Sequence, residues 1–275
     1  MNDINGEEIT VQRKSGINPT AIQRHYHNVG EVIFVYQGNL TMNINDRDVL
    51  LKESELLIIS SFASHTLVSA SPDCKRYILR FSLEFLIESV KDPGLAFIFT
   101  QYSITVIPIF TIPKDIYPTI EQLFTLLEKE LKDKEEYYKQ RCGVLLCALL
   151  ITLYRQDSSY FSRNRTSVES KILEMQFYLN ANYAKDITLD SLSSHFNISK
   201  YYMAKCFSKF TGVTIKHFLT TIRINEAKRL LCNTSDPIIL ISEKTGFYDS
   251  NHFIKVFRKH EGLTPLRYRK QLPQD

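Results

Sequence analysis

No CxxC pair occurs in this chain of 275 residues, and its five cysteines (Cys74, Cys142, Cys147, Cys206, Cys232) are odd in number and scattered. That pattern excludes a disulfide framework or a zinc knuckle and leaves buried, reduced thiols as the expectation. Long apolar runs are missing as well. The stretch Val144 to Leu153 lies between Arg141 and Arg155 and is too short to span a bilayer. Met1 to Thr10 carries Asp3, Glu7 and Glu8 and no apolar segment of the kind an export signal needs. A strong charge of either sign is absent too, the net value being +4. Together these absences exclude a membrane-spanning or disulfide-scaffold protein and predict a soluble, cytoplasmic one.

What is present is ordinary in bulk and uneven in placement. Hydrophobic residues make up 44% and charged residues 23%, typical of a globular chain, and the length suits two domains. Residues 168–275 hold 16 Lys and Arg against 10 Asp and Glu, whereas residues 1–167 hold 18 against 20. A basic half joined to a slightly acidic half predicts that only the former meets a polyanion.

The first hundred residues read as short strands rich in Val, Ile, Leu, Phe and Tyr. They are Glu31 to Tyr36, Leu40 to Ile44, Val49 to Leu51, Leu56 to Ser60, Thr66 to Ser69 and Arg76 to Phe81. Turn residues separate them at Gln37-Gly38-Asn39, Asn45-Asp46-Arg47 and Ser71-Pro72-Asp73. Such spacing predicts a small β-barrel or sandwich. The period then changes. Ile116, Ile120, Leu123, Phe124, Leu127 and Leu131 recur at helical spacing, as do Tyr138, Cys142, Leu145, Leu146, Leu149, Leu150 and Leu153. These stripes predict a helix pair that covers the barrel, the second being broad enough to serve a subunit interface as well. Gln156 to Thr166 is polar and reads as a linker.

Beyond the linker two segments resemble each other. Leu192-Ser193-Ser194-His195-Phe196-Asn197-Ile198-Ser199 and Ile241-Ser242-Glu243-Lys244-Thr245-Gly246-Phe247 each precede a helical stretch. Leu192 and Ile241 are 49 apart, while Met203 and Phe253, Phe207 and Phe257, and Gly212 and Gly262 are each 50 apart. One residue is therefore inserted in the second turn. In each copy a short helix ends where Asn197 or Gly246 can take a positive φ, and Ile198 or Phe247 plugs the angle. Ser199 or Asp249 is placed to cap the next helix, as is Thr188 for the helix before it. Asp236-Pro237 and Thr264-Pro265 supply a cap followed by a proline at the first helical position. Each second helix buries one apolar pair, Met203 and Phe207 or Phe253 and Phe257, and keeps its other face polar. Two short helices at a steep angle with a polar outer face form a helix-turn-helix. Ile215 to Leu231 joins the motifs as one amphipathic helix whose buried side is Phe218, Ile222, Ala227, Leu230 and Leu231.

The segments LDSLSSHFNISKYYMAKCFSKFTG, IRINEAKRLL and ISEKTGFYDSNHFIKVFRKHEGLTPLRYR resemble the AraC/XylS family of bacterial transcription regulators across residues 168–275. Gly246-Phe247, Asn251-His252-Phe253, Phe257-Arg258-Lys259 and the Thr264-Pro265 to Tyr268-Arg269 run are the most diagnostic pieces. Ser193 and Ser242 depart from the Ala usual there. On helix geometry, Lys200, Tyr201, Tyr202 and Lys205 of the first motif, and Ser250, Asn251, His252 and Lys255 of the second, are placed to reach base edges. Lys209, Arg258 and Lys259 are placed for phosphates. Two such helices on one face would enter successive major grooves of double-stranded DNA, about 34 Å apart.

In the N-terminal half His25, His27, Glu31 and Gly38, with His65 downstream, resemble the first cupin motif. Three imidazoles and a carboxylate suit a divalent metal. However, Ser54-Glu55 replaces the Gly-Asp usual in cupins, and regulators of this family keep the pattern without a catalytic metal. The resemblance therefore implies that these four residues line an effector pocket, with no metal, cofactor or catalytic residue. The fold class expected is a multidomain α+β chain, with a cupin-like jelly-roll barrel and an all-α double helix-turn-helix domain. Residues 1–112 would be the sensor, 113–156 the dimerisation helices, 157–167 the linker and 168–275 the DNA-binding domain, with motifs at about 189–210 and 238–260. The expected function is transcription regulation by a homodimer that binds promoter DNA and a small effector, with RNA polymerase as a further candidate partner. A metal-dependent cupin enzyme and a regulator governed by a protein partner are the alternatives.

Overall fold

The computed structural model describes residues 7–16, 29–60, 63–100, 107–161 and 167–271. They fall into two compact units, one mainly of residues 8–170 and the other mainly of residues 171–209 and 213–275.

Among the described residues the first unit opens with seven strands: β1 (Ile9–Ser15), β2 (Val29–Gln37), β3 (Asn39–Ile44), β4 (Arg47–Lys52), β5 (Glu55–Ile59), β6 (His65–Ala70) and β7 (Lys75–Ser82). Two short helices follow, α1 (Leu83–Ser89) and α2 (Pro93–Thr100), then β8 (Ile109–Thr111), α3 (Tyr117–Asp133) and α4 (Tyr138–Gln156). The six strands expected from the sequence are present with ends shifted by one or two residues. β1, β8, α1 and α2 are additions. β1 was hidden because it is a largely polar edge strand, and β8 because it is three residues long.

The strands form two antiparallel sheets, ordered β1-β7-β2-β5-β8 and β4-β3-β6. Ile33, Val35 and Leu57 of the larger sheet pack against Leu40, Met42 and Leu67 of the smaller one, giving the inner core of a jelly-roll barrel. Side chains alternate along a strand, so Val32 and Phe34 of β2 face the opposite way. Helix α3 covers that outer face. Phe124 stacks on Phe34 at 5.7 Å and on Tyr77 at 5.0 Å. β2 is therefore buried on both faces, which explains its unbroken apolar run. Helix α4 packs on α3 and α1 through Cys142, Leu145, Leu146, Leu149, Leu150 and Leu153. Burial beside Glu130 pushes the Cys142 thiol up to about 11. All five cysteines are free thiols. Cys74 and Cys142 are buried as expected, whereas Cys147, Cys206 and Cys232 are half-buried. The opening residues of the expected linker are ordered against this unit: a 3-10 turn at Ser158–Tyr160 leads to Phe161, which is buried near Phe110 and Tyr154.

The second unit is all helix: α5 (Ser167–Ala181), α6 (Leu189–Phe196), α7 (Lys200–Thr211), α8 (Ile215–Asn233), α9 (Ile238–Lys244), α10 (Ser250–Glu261) and α11 (Pro265–Lys270). Thr188 caps α6 in a reciprocal box with Ser191, and Asp249 caps α10 by accepting from the Asn251 and His252 amides. The expected cap at Asp236 does not form. Pro237 itself occupies the cap position of α9, while the Asp236 carboxylate takes an ion pair with Lys244 at 2.7 Å. Helix α8 is also less one-sided than its sequence suggests. Ile215, Leu219, Thr221, Ile224 and Lys228 are buried in addition to the expected five. Both of its sides are covered, because each helix-turn-helix packs on it.

Candidate nucleic-acid interface

Helices α6 and α7 form one bent pair, and α9 and α10 the other. Each bend is held in the same way. Asn197 closes α6 at φ +54 and Gly246 follows α9 at φ +77, the left-handed region where Asn and Gly are tolerated best. The Ser193 hydroxyl then donates to the Ile198 carbonyl at 2.7 Å, and the Ser242 hydroxyl donates to the Phe247 carbonyl at 3.2 Å. The two serines that stand in place of Ala thus each tie the first helix of a motif to its plug residue. Phe247 is buried, while Ile198 is half-buried.

With the inner faces occupied by Met203 and Phe207, or Phe253 and Phe257, all fully buried, the opposite faces of α7 and α10 turn to solvent. On α7, Lys200, Tyr201, Tyr202, Lys205 and Lys209 are exposed. On α10, Asn251, His252, Lys255, Arg258 and Lys259 are exposed and Ser250 half-exposed. Tyr201, Lys205 and Lys209, like Asn251, Lys255 and Arg258, recur at spacings of three or four residues and so line single faces. Lys200 ion-pairs with Asp190 on α6, and the Tyr202 hydroxyl is raised by its hydrogen bond with the Cys206 thiol. The Lys200 pair is exposed, which makes it weak and easily exchanged for a phosphate. The two polar faces carry amide, imidazole, phenol and ammonium groups, the chemistry that reads base edges and neutralises phosphates.

Sequence reading missed Arg223 of α8. Its guanidinium donates to the Tyr183 carbonyl at 2.8 Å and the Lys185 carbonyl at 2.9 Å, and lies 5.7 Å above the Phe247 ring. It therefore ties the segment after α5 to the turn of the second motif. In the first turn of α8, His217 stacks on His260 of α10 at 5.7 Å. Burial holds both rings below the usual histidine range, and Lys259 beside them acts in the same direction.

The barrel holds a second cluster. Glu31 on β2 is paired in register with Arg80 on β7, and the guanidinium takes both carboxylate oxygens, at 3.0 and 3.1 Å. His65 lies 3.3 Å from Glu31, and its Nδ1 is 2.9 Å from the Ala63 carbonyl. Since a carbonyl only accepts, Nδ1 carries the hydrogen and Nε2 faces the carboxylate. Glu31 and His65 are thus brought together, whereas His25 and His27 lie outside the described residues. Arg80, absent from the expected set, is an ion-pair partner of the Glu31 carboxylate. A cation at Glu31 would have to displace a guanidinium held by two hydrogen bonds. Among the described residues no three His, Cys, Asp or Glu side chains come together as metal ligands.

Comparison with known proteins bears on both units. A family described as "AraC-like ligand binding domain" matches residues 9–137, and one described as "Helix-turn-helix domain" matches residues 192–271. The regulatory protein PocR of Salmonella typhimurium is 30% identical over 121 residues, 44% of this chain and 40% of that protein, so the match spans less than half of that relative's length. The transcriptional activator RhaR of an Enterobacter species is 23% identical over 255 residues, covering 89% of this chain and 86% of the relative. Among solved structures, ToxT of Vibrio cholerae with a bound unsaturated fatty acid superposes with a TM-score of 0.59 at 12% identity, over 96% of this chain and 95% of that one. The likeness is one of fold.

The buried pair yields a direct stability test. Arg80→Met leaves the Glu31 carboxylate buried without its guanidinium and should destabilise the barrel by roughly 3–5 kcal/mol. Hydrogen exchange at the β2 and β7 amides along a denaturant series measures it, and an unchanged transition would show that the pair does not hold the barrel.

Proposed function

The chain belongs to the AraC family of transcription regulators, and from that premise we propose that it binds promoter DNA through α7 and α10 under the control of a small effector held in the barrel. The observation that carries this reading is the pair of solvent-facing polar surfaces on two equivalent helices, each backed by fully buried apolar residues. In this reading Tyr201, Tyr202, Lys205, Ser250, Asn251, His252 and Lys255 meet base edges, while Lys209, Arg258 and Lys259 meet phosphates, and Lys200 exchanges Asp190 for DNA. Residues 1–112 act as sensor and 157–167 as linker to the DNA-binding domain at 168–275. ToxT is described with a fatty acid bound. Here the polar groups within the barrel, Glu31, Arg80 and His65, are those an effector would engage. Binding would favour one of two arrangements of the regulator by differential affinity. RNA polymerase is the partner through which promoter binding would act. Among the described residues no helix is long and apolar enough to cross a membrane.

Measured by fluorescence anisotropy, the full chain should bind a site selected from genomic DNA with an affinity that falls steeply as salt rises. Asn251→Ala should lose about 1–3 kcal/mol on that site and little on random DNA. Lys209→Ala should weaken both alike. Equal affinity of the wild-type chain for selected and random DNA at matched salt would rule the reading out.

Homodimerisation through α4 is the second part of the proposal. Val144 is 67% exposed, and Cys147, Ala148 and Ile151 are half-exposed, forming an apolar stripe on the side of α4 away from α3 and α1. Sedimentation equilibrium should give a dimer for the wild-type chain and a monomer for the double substitution Val144→Glu, Ile151→Glu. A wild-type monomer at micromolar concentration would contradict this interface.

A further inference from the structure

The two motifs differ by one residue, and their matched contacts locate it. Ser193 and Ser242 each bond the carbonyl of the plug residue, Ile198 and Phe247, so the offset up to the plug is 49 in both cases. The buried pairs Met203 and Phe253, and Phe207 and Phe257, are offset by 50. In the first motif the plug Ile198 is followed at once by Ser199 and then by α7 at Lys200. In the second, Tyr248 stands between the plug Phe247 and the cap Asp249. Tyr248 is the extra residue, and it is 82% exposed.

The backbone beneath that ring is firmly held. Gly246 sits at φ +77, and a Cβ there would lie 2.8 Å from the Tyr183 carbonyl and 2.9 Å from that of Ala184. Phe247 is 5% exposed under the Arg223 guanidinium, and its carbonyl is taken by Ser242. Asp249 is fixed by its two capping bonds. A large aromatic in water on a rigid base has little conformational entropy to lose when it is covered, and its burial is favourable. It stands two residues before the start of α10, the end of a recognition helix that reaches the bases, close in sequence to Ser250, Asn251 and His252.

Resting on the DNA-binding reading above, we infer that Tyr248 is a specificity-determining residue, its ring packing on the methyl group of a thymine in the half-site read by α10. The first motif has no residue at this position, so only one half-site carries the preference. The phenol hydroxyl is not required, because the contact is apolar.

The test uses the full chain and a site selected from genomic DNA. Affinities are measured by fluorescence anisotropy at one salt concentration for the wild type, Tyr248→Phe and Tyr248→Ala. Each is repeated with single thymines of the second half-site replaced by deoxyuridine, which removes only the methyl group. Tyr248→Ala should weaken binding roughly tenfold and Tyr248→Phe by less than about twofold. One uracil substitution should weaken the wild type and leave Tyr248→Ala unchanged. Thermal unfolding should be the same for all three proteins, since the side chain is exposed. Wild-type affinity for Tyr248→Ala, or an equal uracil effect in wild type and Tyr248→Ala, would overturn the inference while leaving the DNA-binding reading intact. Failure of the wild type to prefer any site would overturn both.

Discussion

Helix α8 is the constraint on which the second unit depends. Its Phe218 meets Phe207 of the first motif edge-on at 5.3 Å. Further along, Ile224, Ala227, Leu230 and Leu231 pack with Ile241, Phe247, Phe253 and Phe257 of the second. Lys228, nearly buried, pairs with Glu261 at the end of α10 at 3.1 Å. Two motifs that share one buried helix cannot turn independently without opening an apolar core. The distance between α7 and α10 is therefore a property of the core, and so is the separation of the DNA segments they would read. Arg223, near the middle of α8, and the His217–His260 stack in its first turn add polar ties.

The parts that local pattern dictates were legible in the sequence. A fully buried pair four residues apart marks α7 and α10, and the left-handed Asn197 and Gly246 mark their bends. The strand run that became β2 was legible because one face meets the barrel core and the other meets Phe124, which leaves no polar alternation to mislead. What escaped depends on register and on distant partners. Arg80 is 49 residues from Glu31 and becomes its partner only through the pairing of β2 with β7. Nothing local marks Arg223, which reaches two carbonyls about 40 residues back. Ser193 and Ser242 showed in the sequence only as departures from Ala, while the geometry makes both of them hydrogen-bond donors. Asp236 had the right residue type for a cap, but the nearby Lys244 competes for its carboxylate.

The barrel cluster and the reading faces belong to one proposed mechanism. A carboxylate, a guanidinium and an imidazole within an apolar barrel are costly to hold unless each is paired, and Glu31 is paired with Arg80. An effector that engaged these groups would exchange one set of hydrogen bonds for another. Such exchanges give the differential affinity that a population shift requires.

The central claim is that one subunit reads DNA with two unlike, rigidly spaced helices. Hydroxyl-radical footprinting of the full chain on a selected site tests it most directly. The account predicts, for each subunit, two protected patches one helical turn apart, about 10 base pairs, over half-sites of unlike sequence. A single protected patch, a variable spacing between patches, or a palindrome within one subunit's footprint would contradict it.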